Sequence, residues 1–222
     1  MSGFWILVRK DLHAEFRKPE AILSMAFFGF LLLVVLNLAI PLGAEVSPET
    51  GAGILWVAIT FSSVLGLAGT MSREKENRCM DGLLLSPLSG ESLFGAKMAV
   101  NCILMLVAEL SIIPLFFILY GDGFFHSLPM LVLVVFLANI GFAATGTLFS
   151  AITASTERNE ALLPLLFYPV VIPLISITVK VTGMIFQEAA LAEYVSWIYV
   201  MTAYGLIFSG LGFLLFDHVI RE

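Results

Sequence analysis

The residues of this sequence best placed to do chemistry are an acid and an amide set in apolar surroundings. Glu109 lies near the middle of the apolar run 98–120, and Asn139 lies at a similar depth in the next run, 128–152. A carboxyl group at such depth in a bilayer is costly enough that it must face the protein interior and find a partner, for which Asn139 is a candidate. A pathway or coupling role and a protonated, hydrogen-bonded structural role both fit these two residue types. Other chemistries lack their residues. His13, His126 and His218 are scattered and not spaced to ligate one metal, and Cys79 and Cys102 lie far apart without a C-x-x-C pair, so no metal centre or disulfide framework is expected. The chain has no G-x-x-x-x-G-K-[ST] phosphate loop, no H-E-x-x-H pair and no G-x-S-x-G elbow, and we expect no catalytic residue and no ATP hydrolysis by this chain itself.

The elements that must position these residues follow from composition. Of 222 residues 59% are hydrophobic and 13% charged, and the mean hydropathy of +1.00 is far outside the range of soluble enzymes. A net charge of -6 without a dense basic patch makes nucleic acid an unexpected partner. Six apolar runs are long enough to cross a bilayer at roughly 20 residues each: 21–40, 53–71, 98–120, 128–152, 162–181 and 194–216. The strict alternation of a β-barrel is absent. The expected fold class is therefore an all-α integral membrane protein with six transmembrane helices, forming a single domain over 1–222. Its parts are an interfacial helix at 1–20, spans one and two at 21–71, a long loop at 72–97, spans three to six at 98–216 and a tail at 217–222.

Charge sets the orientation. Arg9, Lys10, Arg17 and Lys18 precede the first span, Arg73, Lys75, Arg78 and Lys97 lie between the second and third, and Arg158 and Arg221 fall on the same side. Only Lys180 lies opposite, which places both termini in the cytoplasm. The mixed-charge lead is no cleavable signal, and its Trp5, Val8, Leu12 and Phe16 recur at helical spacing, as in a helix lying on the membrane surface until Pro19 ends it. Lys180 sits near the outer end of its span, where it can snorkel to the interface. Pro164, Pro169 and Pro173 are expected to bend or break the fifth span, and the apolar stretch 183–193 to dip into the outer leaflet as short helices. Gly141, Thr145, Gly146 and Ser150 in the fourth span, with Gly205 and Ser209 in the sixth, suit close helix packing.

The loop 72–97 is the most informative stretch. Arg73-Glu74-Lys75-Glu76-Asn77-Arg78 suits a helix extending out of the second span, and Leu83-Leu84-Leu85-Ser86-Pro87-Leu88 is apolar but too short to span. Apolar residues in an aqueous loop need a cover, and either the membrane surface or a protein partner would supply it.

The second span beginning Gly53-Ile54-Leu55-Trp56, followed by Arg73-Glu74 and then Asp81-Gly82 running to Ser86-Pro87-Leu88, resembles the CcmB family, the membrane permeases of the haem exporter in cytochrome c maturation. The likeness covers nearly the whole chain, including Phe16-Arg17-Lys18 before the first span and Glu109 followed by Pro114 in the third. It departs where members often carry a Glu-Xaa-Leu pattern after the loop glycine, since Leu83-Leu84-Leu85 follows Gly82 directly here. The resemblance implies an ABC exporter permease of the bacterial inner membrane, whose loop forms a coupling helix docked on an ATP-binding subunit. Arg73, Glu74, Glu76, Arg78, Asp81, Gly82, Leu84, Leu85, Ser86 and Pro87 would then transmit nucleotide-driven motion to the spans. Implied partners are a CcmA-type ATP-binding subunit, CcmC-type and CcmD-type membrane proteins, a CcmE-type haem chaperone, a second permease copy and membrane lipid. ATP would be bound by the partner subunit and haem would be the cargo of the complex, with no cofactor resident on this chain. Two alternatives share the architecture: an ABC permease exporting a lipid, glycan or drug, and a non-transporting membrane scaffold.

Overall fold

In the computed structural model, which describes residues 2–41, 44–76, 89–121, 127–155 and 162–221, the chain is all-helical. The order is α1 (Ser2–Arg17), α2 (Glu20–Leu38), α3 (Pro48–Glu76), α4 (Gly90–Tyr120), α5 (Leu128–Ser155), α6 (Leu162–Phe186) and α7 (Leu191–Arg221). Helices α2 to α7 each hold a stretch long and apolar enough to cross a bilayer, and no strand occurs among the described residues. This is the expected six-span, all-α membrane fold. An even number of crossings returns the chain to the side where α1 lies, so one end of the bundle carries both termini.

Local sequence fixes the helix ends. Ser47 precedes Pro48, its Oγ accepts from the Thr50 amide at 3.3 Å, and proline is preorganised for the first helical position. At α4, Ser89 Oγ accepts from the Ser92 amide at 3.3 Å, and Gly121, at φ 97°, closes the other end. The helix therefore starts inside the stretch read as loop, eight residues before the hydropathy boundary at Met98. Helix α6 is continuous through Pro169 and Pro173, so the expected break does not occur. Pro164 lies in its first turn, where the missing amide costs nothing. The Tyr204 hydroxyl on α7 donates to the Val170 carbonyl at 3.1 Å, beside the carbonyl that Pro173 leaves without its helical donor. The segment 183–193 makes no separate short helices. It is the end of α6 and the start of α7 joined by a tight turn, with Glu188 at φ 59°. There Gln187 donates to the Glu49 carboxylate at the start of α3.

Helices α3, α4 and α5 form the centre. Helix α4 packs on α1, α2, α3, α5 and α7, while α5 packs on α3, α4, α6 and α7. Within its most apolar window α3 is 67% buried, whereas α2 and α7 are only 22% and 17% buried, so these two present most of their surface to lipid. Glycines allow close approach at the centre: Leu67 of α3 occupies the space a side chain on Gly146 would need. The interior is also polar. Trp56 Nε1 donates to Thr182 Oγ1 at 2.8 Å, and Ser62 Oγ donates to the Met25 carbonyl at 2.6 Å.

Candidate functional site

Two places gather the candidate residues: the end of the bundle where the long loop returns to the spans, and the middle of α4 and α5.

At the loop, α3 continues through Arg73, Glu74 and Glu76, as expected of a helix leaving the second span, but their side chains lie outside the described residues. Arg78, Asp81, Gly82, Leu84, Leu85, Ser86 and Pro87 lie wholly outside them. The returning chain is described from Ser89, and from there the first turns of α4 are clasped. A side chain on Gly90 would meet the Asp217 backbone at 2.8 Å. Phe94 is fully buried between Phe213 and Phe216 of α7, with ring centroids at 5.1 and 5.3 Å, and its ring fills the space beside Gly212. Gly95 lies close to both Phe213 and Phe4. One turn further, Lys97 Nζ donates to Asp11 Oδ2 of α1 at 2.7 Å, with side-chain exposures of 3% and 11%. The base of α4 is thus gripped on one side by aromatic rings and on the other by a buried ion pair. Close-packed interiors have low compressibility, so these contacts join the start of α4 firmly to α1 and α7.

Sequence reasoning missed this junction. Lys97 reads as a loop cation, and Asp11 as one charge in a mixed leader. The available signal was a lysine immediately before an apolar run, which needs an anion or an aqueous exit. Helix α1 also turns differently from the expected stripe. Leu7, Val8 and Asp11 face the bundle, while Trp5 and Phe16 are exposed beside them, as suits a helix with one face on protein and the next on the membrane interface.

In the middle of the bundle, Glu109 and Asn139 meet as expected: Asn139 Nδ2 donates to Glu109 Oε2 at 2.7 Å, with both residues buried. A second bond, Asn101 Nδ2 to Thr147 Oγ1 at 2.9 Å, joins the same two helices. The two bonds are eight residues apart on both helices, one antiparallel register held at two levels about 12 Å apart. Lys180 lies 4.0 Å from the centroid of the Trp197 ring, a cation–aromatic pair of the kind that anchors a span at an interface. Among the described residues no group of three or more His, Cys, Asp or Glu side chains is placed to hold a metal.

An all-helical bundle with six candidate spans, an amphipathic helix locked to its base and a mid-bundle polar pair defines a multi-pass integral membrane protein. Similarity makes the assignment particular. A family model described as CcmB protein matches residues 2–215, and the chain belongs to the CcmB family. Heme exporter protein B of Pseudomonas aeruginosa is 24% identical over 203 residues, 91% of each chain. Heme exporter protein B of Escherichia coli K12 is 27% identical over 85 residues, 38% of this chain and 39% of that one.

Proposed function

We propose that this chain is the membrane permease subunit of an ABC transporter of cytochrome c biogenesis, coupling ATP hydrolysis by a partner to haem export or to release of a haem-loaded chaperone. The observation that carries this reading is the family match over residues 2–215, supported by relatives named heme exporter protein B. ATP is bound and hydrolysed by a CcmA-type subunit. Haem is the cargo of the complex, and CcmC-type and CcmD-type membrane proteins, a CcmE-type chaperone and a second permease copy complete the assembly. The protein sits in the bacterial inner membrane with both termini in the cytoplasm, where ten of its 11 basic residues then lie.

In this mechanism the segment from Arg73 to Pro87 is the coupling element that docks on the ATPase. Asp81 and the apolar Leu84 and Leu85 make the contact, and Arg73, Glu74, Glu76 and Arg78 carry the motion into α3. The returning arm enters α4 at Ser89, and the clasp of Gly90, Phe94 and Lys97 hands the same motion to α7 and α1. Coupling then needs no nucleotide site on this chain.

Co-purification tests the docking. The wild-type chain retains the CcmA-type subunit in detergent, whereas the double substitution Asp81→Lys and Leu84→Lys releases it while the permease stays inserted, because the spans do not depend on that segment. Retention of the ATPase by the double variant would reject the assignment.

A further inference from the structure

Glu109 and Asn139 are joined by one hydrogen bond, yet each keeps an atom that the bond does not use. Glu109 Oε1 and Asn139 Oδ1 are buried and have no hydrogen-bond partner among the described residues. Thr60 Oγ1 on α3 is the third such atom within the spans. Thr60 lies on one helical stripe with Trp56 and Leu67, and these reach Phe142 and Gly146 of α5. The three orphaned atoms therefore belong to the three central helices.

The missing element in the Glu109–Asn139 pair is a hydrogen, since both unsatisfied atoms are acceptors. An ionised carboxylate offers acceptors only, and here it would have one hydrogen bond at a depth where uncompensated charge is most costly. Among the described residues nothing packed on α4 brings it a cation. The membrane-spanning parts of α2 and α5 carry no titratable residue between Ala21 and Leu38 or between Leu128 and Thr153, and α3 carries only Glu49 between Pro48 and Ala68. Asp11 of α1 is bonded to Lys97, itself twelve residues from Glu109 along α4, and Arg9, Lys10, His13 and Arg17 of α1 are exposed. On α7 the hydroxyl of Tyr204 is spent on the Val170 carbonyl, Glu193, Tyr194, Asp217 and His218 lie nearer the helix ends than its middle, Tyr199 is exposed, and its one Arg or Lys, Arg221, is the last residue of the helix. On α4 itself Cys102, two turns from Glu109, supplies no positive charge.

We propose that Glu109 and Asn139 form a buried proton-binding site, in which a proton on Glu109 Oε1 is donated to Asn139 Oδ1 and closes a two-bond acid–amide ring between α4 and α5. The terminal torsions of Glu and Asn are broad, so aligning the two groups needs no change of helix position. The ring completes the upper of the two ties between these helices, Asn101 to Thr147 being the lower. It exists only with its proton. Any movement of α4 off α5 that admits water lets the proton leave, and the helices reseal only on recapturing it. Separation of α4 from α5 is thereby linked to proton release.

Infrared spectroscopy of the full chain in lipid, in D2O at neutral pH, tests this directly. The wild type is expected to show the carbonyl stretch of a protonated carboxyl group, lost in Glu109→Gln and displaced in frequency in Asn139→Leu, which removes the ring partner but not the acid. Glu109→Gln, whose amide can both accept and donate in the same ring, keeps the wild-type melting temperature, while Glu109→Ala lowers it. No protonated carboxyl band in the wild type at neutral pH would overturn the proposal. So would a melting temperature raised by sodium in the wild type and not in Glu109→Gln, which would place a metal cation where the proton is assigned.

Discussion

At the scale of single residues, the ion pair between Asp11 and Lys97 is the feature with the clearest energetic signature. Both groups are largely removed from solvent, at 2.7 Å. Removing one partner strands the other charge, at a cost of about 3–5 kcal/mol, whereas replacing both by apolar residues of similar size is often neutral. Asp11→Leu alone should therefore lower the thermal unfolding temperature in detergent markedly, and the double variant Asp11→Leu, Lys97→Met should recover most of the loss. A double variant no better than the single one would mean that the pair is not the link. The Asn101–Thr147 bond is a contrasting case, since hydrogen bonds between spans average roughly 0.6 kcal/mol in double-mutant cycles. Asn101→Ala and Thr147→Ala, made singly and together, should give a coupling energy of that order. The depth of Glu109 and Asn139 and the need of a buried acid for a partner were legible in the sequence, because two polar residues stood out against continuous apolar runs. The Asp11–Lys97 pair was not, since its members are 86 residues apart and each reads as an ordinary surface charge in its own neighbourhood.

At the scale of elements, hydropathy located all six spans but misplaced the start of α4. A charge inside a helix lowers the local hydropathy whether it faces water or a counter-ion, so Lys97 marked a boundary that the Ser89 cap and the packing of Gly90 to Phe94 override. The prolines of α6 do not break it, for a related reason. A packed neighbour can help a helix tolerate a lost backbone bond, and the Tyr204 hydroxyl of α7 bonds the Val170 carbonyl next to the one Pro173 leaves open, but sequence does not show who the neighbour is. The glycines of α7 make the packing claim testable. Gly212 faces the fully buried ring of Phe94, with an added Cβ only 2.0 Å from its Cζ, while nothing lies within 4 Å of a Cβ at Gly210. Gly212→Ala should cost on the order of 1–3 kcal/mol through overpacking and, under the proposed coupling role, weaken stimulation of a CcmA-type ATPase. Gly210→Ala should leave both unchanged or slightly improve stability. Equal melting temperatures for the two variants would contradict the tight junction between α4 and α7.

At the scale of the whole molecule, a six-span bundle whose remaining residues lie in α1, the connections and the helix ends would act on an energy source through those parts. Those parts are a charged helix leaving the second span, a capped re-entry at Ser89 and an interfacial helix bonded to the same base. The class of cargo is not written in the spans, because apolar helices of similar composition serve many substrates, and it comes from family membership. The most direct test of that assignment is a covalent-haem stain of c-type cytochromes in host membranes with this chain deleted and then restored. A role in cytochrome c maturation predicts loss of stained cytochromes with accumulation of haem-loaded chaperone on deletion, and return of staining with the wild-type chain. Unchanged staining in the deletion strain would contradict it.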